Sequence, residues 1–205
     1  MQKNNRHIEV DKYWMKFLES KNEYDSFSFI YNFYVNDLLS YGVSLGFDED
    51  TCRDAVHDIF CKILIEKSKF MKVENLTAYL FISIRNYLLN VQKKNRNISD
   101  FSFENIPFST EITTLESLIN IEDTAKLKQT IENLLNELTP RQREAIYLRY
   151  MQGMDYADIA SFMKMNYNSA RRLIHRGIEH LRSIHNDSEK PFFVYLVVLS
   201  FYQQL

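Results

Sequence analysis

Glycine and proline are nearly missing from this 205-residue chain, with four of the first and three of the second. An all-β fold needs many tight turns, so this scarcity excludes one in favour of long helices. Cysteine is rarer still. Cys52 and Cys61 stand nine apart with no CxxC, which excludes a disulfide framework and points to reduced thiols in a cytosolic protein. His57 lies between them, but the spacing fits no common zinc pattern, so neither a metal nor a cofactor is expected. The opening MQKNNRHIEV lacks the apolar stretch of a secretory signal. No apolar run reaches the roughly 20 residues of a membrane span, so the chain is expected to be cytoplasmic and not itself transmembrane.

What is present is the composition of a globular protein, 45% hydrophobic and 25% charged. The length suits one ordinary domain or two small ones. Thirteen Tyr and fifteen Phe give even a small core bulky side chains to bury. A net charge of −2 argues against a nucleic-acid partner until the charges are placed along the chain. Arg85 to Arg96 carries Arg85, Lys93, Lys94 and Arg96 with no acid. Asn97 to Asp123 carries six acids with no Lys or Arg, and Thr139 to His185 carries eight basic residues against four acids. Basic, acidic, basic is the pattern of two phosphate-facing patches around a linker that DNA repels.

Four segments follow: residues 10–94, dense in helical periodicity; a polar, acidic linker at 95–123; a second helical segment at 124–185; and, beyond Pro191, an apolar tail within 186–205. The expected fold is all-α, two small helical domains joined by a flexible linker. In the first segment, helices are expected over Asp11–Ser20, Ser26–Leu45 with Gly46 as C-cap, Asp48–Glu66 and Thr77–Lys94. The third should bury Val56, Ile59, Phe60, Ile63 and Leu64, the fourth Leu80, Ile84, Tyr87, Leu88 and Val91. In the second segment, Thr139, Pro140 and Gln142 make a capping box with Pro at N1, opening a helix that runs to Met151 and closes at Gly153. Asp155 caps a short helix, Tyr156 to Met163. Lys164, Met165 and Asn166 make a turn in which Asn166 can take the left-handed conformation. A last helix covers Asn168 to Arg182. A supporting helix, then two helices across a short turn, is helix-turn-helix organisation.

In NSARRLIHRG, Asn168 to Gly177, the stripe Ala170, Ile174, Ile178 and Leu181 should pack inward. Asn168, Ser169, Arg171 and Arg172 then face outward in the first turn, where a recognition helix contacts bases. Arg can pair bidentately with guanine and Asn with adenine. Ser169 and the helix N-terminus can take phosphate, and Arg176 and Arg182 can add backbone contacts. A solvated basic face reads the same ten residues equally well; the capped helices ahead of them shift the balance toward DNA.

The stretch from Leu138 to Arg182 resembles region 4 of the sigma-70 family of bacterial RNA polymerase sigma factors, in particular the extracytoplasmic-function (ECF) subgroup. The matching features are Leu138 to Pro140, Gly153, Ile159 with Ala160, and Leu181 with Arg182. DAVHDIFCKIL, Asp54 to Leu64, looks like region 2.2, and AYLFISIRNYLLNVQKK, Ala78 to Lys94, looks like regions 2.3 and 2.4, with Arg85 and Asn86 as the family's Arg-Asn pair. The resemblance implies a division of labour. Asp54, His57, Asp58 and Phe60 would bind core polymerase. Asn75, Tyr79, Arg85, Asn86, Lys93 and Lys94 would serve the melted minus-10 strand, with Tyr79, Phe81 or Tyr87 available for stacking and Arg96 for phosphate. Tyr167, Asn168, Ser169, Arg171, Arg172, His175 and Arg176 would read the minus-35 duplex. Lys164 stands where the family has a turn glycine, Asn90 where Asp is usual, Tyr79 where Trp is usual, and His57 where Gln is usual.

The implied function is promoter-specific initiation with core RNA polymerase, promoter DNA and an anti-sigma factor, soluble or membrane-bound, as partners; catalysis is not expected. The rival is a stand-alone helix-turn-helix regulator, which leaves the Asp54–Leu64 and Ala78–Lys94 matches unexplained. The tail FFVYLVVLSFY is too apolar to stand in water and is expected to be covered by its own domain or by a partner.

Overall fold

The computed structural model describes residues 5–19, 24–96, 108–109 and 133–184, and every regular element among them is helical. The acidic linker expected at 95–123 is described only at residues 95–96, which continue a helix, and at 108–109; the rest of it and the apolar tail lie outside the described residues. The chain divides into two compact units, Met1–Ser102 and Phe103–Leu205. No helix among the described residues is long and apolar enough to cross a membrane.

The first unit is built from α1 (Asn5–Glu19), α2 (Tyr24–Ser44), α3 (Glu49–Ile65), a 3₁₀ turn at Lys67–Phe70, and α4 (Leu76–Arg96). α1 begins six residues earlier than the periodicity predicts, and its buried stripe is Val10, Trp14 and Phe17. α2 buries Ile30, Tyr34, Leu38 and Tyr41 at spacings of 4, 4 and 3, and Gly46 (φ 86°) ends it as expected. α3 starts on Asp48, whose carboxylate accepts from the Thr51 amide at 2.9 Å. α2 packs against α1, α3 and α4, and α3 packs on α4. Tyr34 ties α2 to the head of α4 through a 2.6 Å bond between its hydroxyl and Thr77 Oγ1. Trp14 Nε1 donates to the Val73 carbonyl ahead of α4.

Only glycine fits at position 42, where a Cβ would stand 2.5 Å from Cys52 Sγ and 3.2 Å from Leu88 Cδ1. This close approach shuts Cys52 into the junction of α2, α3 and α4. Burial, with Asp48 and Glu49 adding to it, pushes its thiol up to about 11.

Leu64, expected inside, is 45% exposed beside the still more exposed Ile65. The core contact of the last turn of α3 is carried by Ile63, and the position 100° further round faces water. Tyr87 and Val91 of α4 are only half-buried.

The second unit contains a helical turn at 133–136, then α5 (Pro140–Ile146), a π-helical turn at Tyr147–Met151, α6 (Tyr156–Phe162) and α7 (Tyr167–Ile184). Thr139 and Gln142 form the predicted capping box with Pro140 behind it. The π turn carries the chain to Gly153 (φ 65°). Asp155 Oδ1 accepts from the Asp158 amide at 2.8 Å, capping α6. The turn into α7 differs from expectation. Asn166 is the cap, its Oδ1 accepting from the Ser169 amide at 2.8 Å, and the left-handed residue is Lys164 (φ 53°). Lys164 therefore adopts the backbone that the family's glycine would take freely, at a cost of about 1 kcal/mol. Ala170, Ile174, Ile178 and Leu181 are buried as predicted, α7 packing on both α5 and α6.

Among the described residues of the acidic stretch, Phe108 belongs to this core. Phe108 is 2% exposed, its ring 5.5 Å from that of Tyr147, and its carbonyl accepts from Arg143 Nη1 at 2.7 Å. Arg143 Nη2 also donates to the Leu138 carbonyl at 3.1 Å, so a half-buried guanidinium fastens Phe108 to the start of α5.

Candidate nucleic-acid interface

The buried stripe of α7 leaves two parallel ridges in water, because residues four apart on a helix are neighbours. One ridge is Tyr167, Arg171 and His175; the other is Asn168, Arg172 and Arg176, and all six are exposed. Both ridges start at the helix N-terminus, the end a recognition helix inserts into the major groove. Ser169 is half-buried beside the Asn168 ridge, on its inner side, and its amide is engaged by the Asn166 cap. Glu179 closes the face. Its Oε1 lies 3.7 Å from His175 Nδ1 and 3.8 Å from Arg182 Nη1. The arginine charge not met by a carboxylate on this helix is therefore concentrated in its first ten residues, at Arg171, Arg172 and Arg176. The structure thus brings all seven residues expected to read the minus-35 duplex onto one helix end.

Sequence reasoning missed two neighbours of this face. The Arg149 guanidinium sits 4.7 Å above the ring of Tyr156, and that ring meets Tyr167 edge-on with centroids 6.0 Å apart. Tyr156 follows the Asp155 cap and Arg149 lies in the π turn, so the two come together only through the tertiary fold.

In the first unit, the residues expected to serve the minus-10 strand divide. Asn86 and Lys94 are exposed, Lys93 is half-buried, and Asn75 is exposed at the head of α4, where its Oδ1 caps the helix by accepting from the Ala78 amide at 3.0 Å. Tyr79 is half-buried with its ring edge-on to Phe70. Arg85 does not sit on this surface. It is 6% exposed, because α4 packs on both α2 and α3 and buries more than a single stripe. Phe81 is fully buried against Tyr41, which removes it as a stacking platform. Arg96 has no described side chain. The loop Lys69 to Leu76, which the resemblance also implies for the minus-10 strand, carries Met71, not singled out in the sequence and 65% exposed; an apolar residue between Phe70 and Lys72 in a charged loop was its only signal.

The outward face of α3 carries Asp54, His57 and Asp58, all exposed, with His57 Nε2 3.4 Å from the half-buried Cys61 Sγ. Phe60 is not on it. Its ring is packed against Phe27 and Tyr31, so it offers no surface for a direct contact with a partner. Asp58 is linked to α4, its Oδ2 accepting from the Tyr87 hydroxyl at 3.0 Å, and that bond holds the Tyr87 phenol above its ordinary pKa. No group of three or more metal-ligating side chains comes together among the described residues.

Residues 128–181 match the family described as Sigma-70, region 4. The chain is similar to the ECF RNA polymerase sigma factor SigM of Bacillus subtilis (strain 168), 20% identical over 157 residues that cover 77% of this chain and 93% of SigM. It is 19% identical over 161 residues to the ECF RNA polymerase sigma factor SigX of the same organism, covering 77% of this chain and 82% of SigX. A solved structure of the sigma factor RpoE in complex with the anti-sigma factor NepR from Bartonella quintana is 24% identical, covering 75% of this chain and 93% of that one with a TM-score of 0.49.

Proposed function

For a chain that belongs to the sigma-70 family of RNA polymerase sigma factors, in its ECF subgroup, we propose that it binds core RNA polymerase and directs promoter-specific initiation in the cytoplasm. The observation that carries this reading is the first half of α7. A capped helix-turn-helix holds two exposed ridges of polar, aromatic and basic side chains within the residues matched to region 4. Asn168, Arg171 and Arg172 contact base edges of the minus-35 element, with Tyr167 and His175 on the same ridge as Arg171. Arg176 and the Ser169 hydroxyl take phosphate, so affinity falls as salt rises.

The first unit is assigned the polymerase and the melted strand. Asp54, His57 and Asp58 form the docking face. Asn75, Tyr79, Asn86, Lys93 and Lys94, joined by Met71, line the path of the minus-10 strand, where splayed bases need aromatic or apolar platforms beside a basic track. Arg85, being buried, is assigned to holding α4 in place. The boundaries 10–94, 95–123, 124–185 and 186–205 stay part of the proposal, amended by Phe108, which belongs to the second unit. An anti-sigma factor is the regulatory partner. The chain works by binding and not by catalysis.

Run-off transcription with core polymerase provides the test. Start-specific transcripts are expected only when this chain is added. Duplex binding with no effect on initiation overturns the proposal in favour of a stand-alone regulator.

A further inference from the structure

Tyr167 heads α7 and is 51% exposed, with one face of its surroundings occupied by another ring. It meets the half-buried Tyr156 ring edge-on, at an interplanar angle of 75°. Tyr156 is held in turn by Arg149, whose guanidinium lies over its face while Nη1 donates to the Met154 carbonyl at 2.7 Å. The carbonyl fixes the guanidinium, the guanidinium fixes one ring, and that ring fixes the next. A cation over an aromatic face and an edge-to-face ring pair are both directional contacts. They therefore set an orientation, which simple burial does not.

We propose that Tyr156 is a positioning residue for minus-35 specificity. Clamped under Arg149, it holds the Tyr167 ring in one rotamer beside Arg171, so that Tyr167 meets the same base step in every complex. The inference rests on the reading of α7 as the minus-35 helix. It adds two residues, on the π turn and on α6, that touch no base and still decide which sequence is chosen. A ring loose by one rotamer trades its base step for others, and discrimination falls without loss of backbone affinity.

The test is selection from a promoter library randomised across the minus-35 element, using the full chain bound to core polymerase. Tyr167→Ala and Tyr156→Leu are expected to lose preference at the same base positions, by roughly three- to tenfold, less than the loss of a full bidentate base pair. Tyr156→Phe keeps the ring face and edge and is expected to keep the wild-type profile. Arg149→Met keeps chain length but removes the cation, and its profile is expected to shift at those same positions. For all four variants, affinity for duplex of unrelated sequence and its salt dependence are expected to match wild type, a separation that a general weakening of the fold does not produce. A wild-type profile for Tyr156→Leu or for Arg149→Met, where Tyr167→Ala is altered, overturns the inference alone. Unchanged profiles for Tyr167→Ala, Arg171→Ala and Arg172→Ala together overturn the minus-35 reading, and the inference with it.

Discussion

Arg171→Ala combined with Arg172→Ala is expected to abolish the distinction between a cognate promoter and one with a scrambled minus-35 element. Each arginine is exposed in the second turn of α7, and they belong to different ridges, so in the proposed complex each would meet a different base. A bidentate arginine contributes about 1–3 kcal/mol of discrimination. Contacts to separate bases add approximately, so the pair accounts for about 2–6 kcal/mol, or roughly 30-fold to 10⁴-fold in relative affinity. The measurement is competition between the two promoters at fixed salt. Arg176→Ala supplies the contrast. As a phosphate contact it should weaken both promoters alike and lower the salt slope by about 1. Single variants of Arg171 and Arg172 that both leave promoter preference unchanged would remove them from base reading.

Phe108→Ala is expected to cost the second unit about 3–5 kcal/mol, the range for deleting a buried aromatic ring. The loss goes beyond the ring contact with Tyr147. If the backbone at 108 leaves the surface, Arg143 Nη1 loses its carbonyl in a half-buried site where burial already opposes the charge and lowers the guanidinium pKa. Leaving such a donor unmatched costs further. A stability of about 5–15 kcal/mol is normal for a domain, so this unit would be close to its limit. Urea unfolding of the full chain should show one transition shifted to lower denaturant and the first unit's transition unmoved. Phe108→Leu, closer in volume, should cost less than half as much. Equal melting of wild type and Phe108→Ala would return residue 108 to the linker.

How much of this was legible in the sequence follows the range of the interactions. Thr139, Gln142 and Asp155 were read correctly because a cap is decided within three residues. Asn166 was read as left-handed and is a cap, since asparagine suits both roles and its own residues do not choose. The left-handed position went to Lys164, against its intrinsic preference, where α6 and α7 must both reach one core. Periodicity found all four helices of the first unit but assumed one buried stripe on each. α4 has two helical neighbours, and that is why Arg85 lies inside. The π turn has no sequence signature comparable to a cap. Phe108 had no periodic partners in an acidic stretch, and a lone aromatic there carries no pattern. The ridges of α7 were legible because a strongly amphipathic helix assigns its faces by spacing alone; the ring of Tyr156 beside them was not.

The glycine contact at Cys52 gives the first unit a chemical clock. Alkylating reagents attack thiolate, and a pKa near 11 leaves only about one part in a thousand of it at pH 8, behind a wall of packed helices. Cys61 stands half-buried on the outer face of α3 and meets reagent while the unit is folded. The slow labelling of Cys52, timed against the fast labelling of Cys61 in the same molecule, counts how often α2, α3 and α4 part. If polymerase docks on α3 as proposed, it would cover Cys61 directly but reach Cys52 only by changing that opening frequency, so two thiols would report occupancy and breathing as separate quantities.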